Sequence, residues 1–181
     1  MKVIAIEGPD GFGKSVLAAR LAQALGFTLV KFPDYASESG QEIKSILEQP
    51  EDKYFDAVHF QNLQHQNKLD KINTLDPDGC YVWDRGPLSE LIYALANGLN
   101  ETTVRKQYEE FAYPDVTVVI SGSAYRHDGD IFDSDKFQDF VQELYFRESK
   151  TIDGNVIRVN NGTSKDEIFE YVLKEVRGIS L

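Results

Sequence analysis

The stretch "EGPDGFGKS", from Glu7 to Ser15, places three glycines, an acidic residue and a lysine within nine positions. From Gly8 onward it fits the pattern G-x-x-x-x-G-K-[ST], in which glycines let backbone N–H groups turn inward around phosphate oxygens. A strand pattern precedes it and a helical pattern begins at Lys14, which is the context that a phosphate loop requires. The helix dipole adds positive charge, the lysine can reach β- and γ-phosphates, and the serine hydroxyl is placed to bind Mg²⁺. The segment therefore predicts a site for a nucleoside triphosphate and Mg²⁺.

Five short runs rich in β-branched and aromatic residues read as strands, and helical patterns separate them. The strand runs are residues 2–7, 27–32, 80–84, 116–120 and 155–159. The helical patterns are residues 14–25, 41–47, 54–75, 87–97, 102–111, 136–148 and 165–177. Near-continuous apolar strands linked by helices predict a parallel sheet covered on both faces, with ligands at the carboxyl ends of the strands. The expected fold class is α/β: a P-loop NTPase three-layer sandwich with a five-stranded parallel sheet.

The composition is that of a globular protein, and we predict a single domain over residues 1–181. The formal net charge of −11 argues against a nucleic acid polymer as partner, because phosphate neutralisation supplies most of that affinity. The single cysteine, Cys80, excludes an internal disulfide and is expected to be an inert core thiol. The apolar runs are too short to span a bilayer, and no apolar core of a secretory signal peptide follows Met1, so we expect no membrane partner and a cytoplasmic location.

Four stretches follow one another in an order that matches a known family. The segment "IEGPDGFGKS" (6–15) is similar to E-G-x-D-G-x-G-K-[ST], with the acid Asp10 inside the loop. The segment "KFPDYASESG" (31–40) is similar to F-P-x-R, and "WDRGPLSELIYA" (83–94) is similar to D-R-x-x-x-S-x-x-A-Y. The segment "IFDSDKFQDFVQELY" (131–145) is similar to F-E-x-x-x-x-F-x-x-x-V-x-x-x-Y. Over essentially its whole length, the chain resembles the thymidylate kinase family.

The resemblance, together with the phosphate loop, implies ATP and Mg²⁺ as cofactors. Phosphoryl transfer needs cations and alignment more than covalent chemistry, and the residues predicted to be catalytic are Lys14, Asp84, Arg85 and Arg126. Arg126 lies in a candidate lid, about residues 122–132, and would close over the phosphates. The candidate metal ligands are Ser15 and Asp84. The residues predicted to contact the donor nucleotide are Gly8, Asp10, Gly11, Phe12, Gly13, Lys14, Ser15, Val16, Arg126 and Asn161.

The resemblance also implies an acceptor site beside the phosphate loop. In the family, the acid in the loop contacts the sugar 3′-hydroxyl and an aromatic ring stacks on the base, so Asp10 and Phe60 inherit these roles. Tyr93 is expected to crowd a ribose 2′-hydroxyl and so to favour deoxynucleotides. Gln61 and Gln64 offer a donor and an acceptor together to a base edge. The residues predicted to bind the acceptor are Asp10, Phe32, Tyr35, Phe60, Gln61, Gln64, Arg85, Ser89 and Tyr93.

Two departures from the family pattern leave the identity of the acceptor open. Tyr35 stands where the family has an arginine for the acceptor 5′-phosphate, and Gln64 stands where it has a base-reading arginine. Lys31 and Arg126 are the candidates to replace the lost charge. The predicted function is ATP-dependent phosphorylation of a deoxynucleoside monophosphate, dTMP-like, to the diphosphate. The alternatives are a deoxynucleoside kinase and a non-catalytic nucleotide-binding protein. Many members of the family are dimers, so the resemblance also suggests a homodimer.

Several of these residues have a purely structural interpretation as well. Asp10 could cap a backbone amide in a turn, and the D-R pair could be a local salt bridge at the end of a strand. Phe60 could belong to the core. His59 and His65 share its helical pattern, and without a partnered cysteine or carboxylate pattern they are interpreted as solvated or packing residues and not as metal ligands.

Overall fold

The structure is a computed structural model that describes residues 1–49, 54–111, 113–125, 132 and 134–180. Within them the strands are β1 Lys2–Glu7, β2 Thr28–Lys31, β3 Cys80–Asp84, β4 Val116–Ser121 and β5 Asn155–Asn160. They form a single parallel sheet in the order β2-β3-β1-β4-β5. The sequence prediction of five parallel strands is confirmed, with each strand end within one residue of its predicted position.

Helices connect the strands, as the periodicity predicts. In the described part of the chain they are α1 Lys14–Leu25, α2 Glu38–Leu47, α3 Ala57–Asn73, α4 Pro87–Ala96, α5 Glu101–Tyr108, α6 Asp135–Glu148 and α7 Lys165–Gly178. Helix α2 starts earlier than predicted because the Ser37 hydroxyl accepts a hydrogen bond from the Gly40 N–H and so caps it there. Helix α3 starts later because Asp56 caps it. None of the described helices is both long and apolar enough to cross a membrane.

The sheet is covered on both faces, which completes the predicted three layers. Side chains along β1 alternate, so Ile4 and Ile6 pack with α1 and α7, whereas Val3 and Ala5 belong to the opposite face. On that opposite face the central strands pack against α3, and α4, α5 and α6 continue the layer against β4. The fold is therefore the α/β sandwich of P-loop proteins, as the sequence predicted.

The carboxyl ends of β1, β2 and β3 lie side by side. In the strand register Asp84 is paired with Ile6 on one side and with Lys31 on the other. The phosphate-loop segment leaves β1 at this edge, and the D-R segment leaves β3 beside it. Side chains from three separate segments of the chain are brought together there, where parallel α/β sheets bind their ligands. Residues 126–131 of the predicted lid, including Arg126, lie outside the described residues.

Candidate active site

The phosphate loop turns sharply between β1 and α1. Gly8, Gly11 and Gly13 have φ angles of 143°, 75° and 95°, which residues with a side chain rarely adopt. Space is short as well, because a Cβ atom on Gly8 would lie 2.6 Å from the carbonyl oxygen of Ile120. Only glycine fits this backbone path, and the path is the one that lets successive N–H groups face an anion.

Lys14 begins α1 with its ammonium folded into the loop. The residue is 5% exposed, and its Nζ donates a hydrogen bond to the Pro9 carbonyl oxygen at 2.5 Å. The same Nζ lies 3.6 Å from Asp10 Oδ1. The loop therefore carries a fixed positive charge at a helix N-terminus, a combination that attracts phosphate groups.

A cavity of about 600 Å³ lies over this edge of the sheet. The predicted site residues that line it are Asp10, Gly11, Gly13, Lys14, Ser15, Val16, Phe32, Tyr35, Phe60, Gln61, Gln64, Asp84, Arg85, Ser89 and Tyr93. Of the other predicted residues, Gly8, Phe12 and Asn161 do not line it. Most of the residues assigned to the donor nucleotide and all of those assigned to the acceptor substrate thus surround one continuous space.

Two oxygen donors for a metal ion lie in this cavity. Ser15 is in the first turn of α1, and Asp84, which is buried, ends β3. Among the described residues no group donates a hydrogen bond to the Asp84 carboxylate or forms an ion pair with it. A hydroxyl and an uncommitted carboxylate suit Mg²⁺, which binds one or two protein oxygens and completes its shell with phosphates and water. No cluster of three or more His, Cys, Asp or Glu side chains is arranged to hold a metal elsewhere in the described chain.

Asp10 connects the phosphate loop with the segment that follows β3. Its Oδ1 pairs with Arg85 Nη2, and its Oδ2 accepts a hydrogen bond from the Tyr93 hydroxyl at 2.5 Å. The Arg85 guanidinium lies 5.3 Å from the centroid of the Tyr93 ring. Arg85 has a φ angle of 68°, unusual for a residue with a side chain. The arginine of the D-R pair is thus bound to the acid of the phosphate loop and not to the adjacent Asp84.

A buried carboxylate that sequence reasoning missed supports the same segment. Glu7 is fully buried, and its Oε1 accepts hydrogen bonds from the N–H groups of Gly86 and Leu88 at 2.9 and 3.1 Å. Its Oε2 accepts from the Ser89 N–H at 3.1 Å and from the Ser89 hydroxyl. These N–H groups are the unsatisfied donors at the start of α4, which has no side-chain cap of its own. Burial raises the pKa of Glu7, and the charge of Lys68 and the hydrogen bonds from Ser89 act in the opposite direction.

Aromatic rings line the cavity beyond Asp10. Phe60 is buried and packs against Phe55 and Phe132, with ring centroids 5.3 and 5.8 Å apart. Phe132 also lies 5.6 Å from the Tyr93 ring. Phe60 is therefore part of a small core as well as of the cavity wall, so its two interpretations are compatible. Phe132, which was not a predicted site residue, lines the cavity too.

Two residues predicted to bind the acceptor substrate, Ser89 and Phe32, are held in place by contacts within the protein. The Ser89 hydroxyl donates to Glu7 and shares a hydrogen bond of 2.8 Å with the Tyr145 hydroxyl. Phe32 packs edge-on against Trp83 with ring centroids 5.5 Å apart. Both residues line the cavity, but the Ser89 hydroxyl is already committed to fixing α4 in place.

A buried network of charges lies at the side of the cavity formed by α3 and α4. Glu90 accepts a hydrogen bond from His65 Nδ1 at 2.8 Å and forms an ion pair of 3.6 Å with Lys68. The other nitrogen of His65 lies 3.2 Å from Glu110. The hydrogen bond with Glu90 raises the pKa of His65, burial opposes the increase, and Glu110 adds to it. His65 is therefore not solvated: it is buried, packs against Phe111 and is in addition paired with carboxylates, which the sequence interpretation did not include. His59, in contrast, is exposed and pairs with Glu42.

Comparison with known proteins places the chain in a family. A family model described as an AAA domain matches residues 3–162. The chain belongs to the AAA domain family. Comparison with curated protein sequences finds no match.

Two solved structures of thymidylate kinases share the fold of this AAA domain. The enzyme from Candida albicans is 20% identical, with a TM-score of 0.80 over 98% of this chain and 91% of that chain. The enzyme from Ehrlichia chaffeensis is 15% identical, with a TM-score of 0.75 over 98% of both chains. At these identities the likeness shows a common fold, in agreement with the family resemblance of the motifs.

In this AAA domain, the segment after β4 is hydrogen-bonded to the phosphate loop. The Tyr125 N–H donates to the Gly11 carbonyl oxygen at 2.9 Å, and the Tyr125 hydroxyl donates to the Asn161 carbonyl oxygen at 2.9 Å. The Asn161 side chain accepts from the Ser123 N–H at 2.9 Å and donates to the Ser123 carbonyl oxygen at 2.6 Å. Asn161 was predicted to contact the donor nucleotide, but its amide is used to hold this segment. Tyr125, which sequence reasoning passed over, lines the cavity.

Proposed function

We propose that the protein transfers the γ-phosphoryl group of ATP to a deoxynucleoside monophosphate and forms the diphosphate. The observation that carries the proposal is the single cavity that joins the phosphate loop to a compartment lined by Phe60, Gln61 and Gln64. A nucleoside triphosphate fits the glycine loop, and a nucleobase fits a compartment with an aromatic wall and side-chain amides. The fold shared with thymidylate kinases and the AAA domain support a nucleotide kinase. The motif resemblance favours a dTMP-like acceptor.

The proposed reaction is an in-line displacement at the γ-phosphorus. An oxygen of the acceptor 5′-phosphate attacks, the bond from the γ-phosphorus to the β–γ bridging oxygen breaks, and ADP leaves. Lys14 neutralises the donor phosphates, and Arg85, positioned by Asp10, stabilises charge on the transferred group. Ser15 and Asp84 would hold Mg²⁺, which neutralises the β- and γ-phosphate oxygens when it is bound.

Lys31 is the residue best placed to bind the 5′-phosphate of the acceptor substrate. It ends β2 beside Asp84 and lines the cavity, and its ammonium forms no hydrogen bond or ion pair with any described residue. Lys68, the other lysine on this side, donates to the Gly86 carbonyl oxygen at 2.6 Å and is paired with Glu90. An uncommitted ammonium at the edge of the cavity can replace the arginine that Tyr35 displaced.

A deoxynucleoside kinase is the second candidate, and Tyr35 is the observation that favours it. Its acceptor has no 5′-phosphate, so the loss of the family arginine would cost nothing. A coupled assay of ADP release separates the candidates, with ATP and a panel of deoxynucleosides and their monophosphates. Turnover of monophosphates supports the proposal, turnover of nucleosides alone refutes it, and no turnover with any acceptor favours a nucleotide-binding protein without activity.

Variants of two lysines sharpen this test. We expect Lys31→Ala to raise KM about tenfold or more for monophosphates, because a charge-assisted hydrogen bond contributes about 1.5–3 kcal/mol. The same variant should leave KM for ATP unchanged. Lys14→Ala should abolish turnover, whereas Lys174→Ala, an exposed lysine of α7 outside the cavity, should not change it. Equal KM values for the monophosphate in Lys31→Ala and wild type would contradict the assignment of Lys31.

A further inference from the structure

Glu90 lies in the wall of the acceptor compartment, and one of its carboxylate oxygens is buried and accepts no hydrogen bond from the described residues. The side chain is 3% exposed, and the residue lines the cavity. Its Oε1 accepts from His65 Nδ1 at 2.8 Å and from Gln61 Nε2 at 3.3 Å. Its Oε2 accepts no hydrogen bond from the described residues, and the nearest cation, Lys68 Nζ at 3.6 Å, donates instead to the Gly86 carbonyl oxygen. A buried acceptor left in this state is rare and calls for a partner.

Gln61 adds a second hydrogen-bond acceptor to the same wall of the compartment. Because its Nε2 donates to a carboxylate oxygen, which can only accept, the orientation of the amide is fixed. Its Oε1 must then be the side-chain atom left for a ligand, and no described donor bonds to it. Gln61 and Glu90 both line the cavity, next to Phe60. Glu90 and Gln61 thus offer two oxygen acceptors, whereas the neighbouring donors, Lys68 Nζ and Gln61 Nε2, already donate within the protein.

We propose that Glu90 and Gln61 select an acceptor whose base carries an exocyclic amine, that is cytosine, adenine or guanine. This inference rests on the proposed function and assigns an amino-bearing base in place of the thymine that the family resemblance implies. An exocyclic amine has two N–H donors and can satisfy both oxygens, and a carboxylate is the side chain that pairs with the amine of cytosine in other protein sites. Thymine and uracil present a carbonyl oxygen at that position, which a buried carboxylate repels.

Matched ligand pairs test the proposal without any need for turnover. We would measure equilibrium binding by calorimetry for dCMP against dUMP, dAMP against dIMP, and dGMP against dIMP, because one member of each pair lacks the exocyclic amine of the other. In dUMP, and in dIMP when it is compared with dAMP, a carbonyl oxygen and a protonated ring nitrogen replace the amine and the unprotonated ring nitrogen, whereas dIMP differs from dGMP by the amine alone. The parent deoxynucleosides would be measured in the same way, so that the result does not depend on which acceptor is phosphorylated. We expect the amino-bearing member of at least one pair to bind about tenfold or more tightly. Tightest binding of dTMP or dUMP, or no preference in any pair, would overturn the proposal.

A pair of glutamate variants then identifies the residue responsible. Glu90→Gln keeps the shape but replaces one acceptor oxygen with a donor, so we expect the preference for the amine to fall at least about tenfold. Glu110→Gln is the matched control, because Glu110 touches the same histidine but is 57% exposed and does not line the cavity. Its preference should equal that of wild type. An unchanged preference in Glu90→Gln would rule out Glu90 as the reader, and if that variant does not fold, the wild-type pairs still decide.

The two proposals fail in distinguishable ways. Binding that prefers an amine, with no phosphorylation of any monophosphate, would leave the base selection standing and refute the proposed kinase activity. Phosphorylation with dTMP as the best acceptor would support the activity and refute the base selection.

Discussion

Replacement of the buried carboxylate of Glu7 by an amide tests whether Glu7 holds the segment that follows β3 in place. Glu7→Gln preserves the size of the side chain, so no cavity forms. It removes one of two acceptor oxygens that receive three backbone N–H groups and one hydroxyl. The amide nitrogen would point a donor at donors that have no other partner, at the start of α4.

The magnitude follows from those contacts. If the amide nitrogen replaces Oε2, the Ser89 N–H is left without an acceptor, which costs about 1–3 kcal/mol. The bonds from Gly86 and Leu88 remain but lose charge assistance, which costs about 1 kcal/mol each. Relief of the desolvation of a buried carboxylate offsets part of this sum, so we expect the free energy of unfolding to fall by about 2–4 kcal/mol. For a chain of this size that corresponds to a decrease in Tm of roughly 4–16 °C.

Denaturant unfolding followed by circular dichroism measures the loss, and steady-state kinetics measures the consequence for the site. Because Arg85 immediately precedes the backbone that Glu7 holds, we expect kcat to fall about tenfold or more while KM for ATP changes little. Ser89→Ala is the control: it removes a donor and leaves the acceptor, so it should cost only about 0.5–1.5 kcal/mol. A Glu7→Gln protein that is as stable and active as wild type would refute the view that Glu7 holds this segment.

Three further predictions concern side chains around the cavity. Arg85→Lys keeps the charge but loses the guanidinium fork, so kcat in the ADP-release assay should fall about 100-fold. An unchanged kcat would contradict the role of Arg85 in stabilising charge on the transferred phosphoryl group. Tyr93→Phe loses the hydrogen bond from the hydroxyl to Asp10 but keeps the ring. The preference for deoxyribonucleotide over ribonucleotide acceptors should therefore remain in Tyr93→Phe and be lost in Tyr93→Ala. His65 has a pKa raised from 6.5 by Glu90, so its stabilising contribution is fully present below pH 6.5 and is lost as pH rises through the folded-state pKa. The difference in unfolding free energy between wild type and His65→Gln, measured by denaturation at a series of pH values, should therefore be constant below pH 6.5 and shrink as the pH rises above it. A difference that does not change with pH would contradict the raised pKa.

Local sequence patterns predicted the fold because the signals that define it are local. Alternating or continuous apolar runs mark strands, a 3.6-residue period marks helices, and glycine, proline and capping residues mark their ends. The strand ends agree within one residue, and α1 has the predicted bounds. The starts of α2 and α3 differ from the prediction because a cap at Ser37 or Asp56 overrides the apolar period, and α5 ends at Tyr108, before its predicted end at residue 111.

The candidate site was predictable only where a motif names the residue. The cavity is lined by most of the motif residues, but Glu7, Glu90 and Lys68 were missed. Glu7 reads as the polar end of a strand, and its partners lie 79 to 82 positions further along the chain. Glu90 and Lys68 occupy helices whose charged residues are usually solvated, and their burial follows from the packing of α3 on α4. No local period carries that information.

These contacts explain why the phosphate loop contains an acidic residue, Asp10. Glu7 and Asp10 lie on either side of the turn at Gly8, and both bind the segment that follows β3: Glu7 holds its backbone, and Asp10 holds the Arg85 side chain. The phosphate loop and the segment that carries Arg85 are thus joined by two separate carboxylates. Since an anion entering the loop competes with Asp10 for the ammonium of Lys14, 3.6 Å away, donor binding changes the charge that Asp10 sees. The Asp10 carboxylate thus contacts the lysine of the phosphate loop as well as Arg85 and Tyr93, which follow β3.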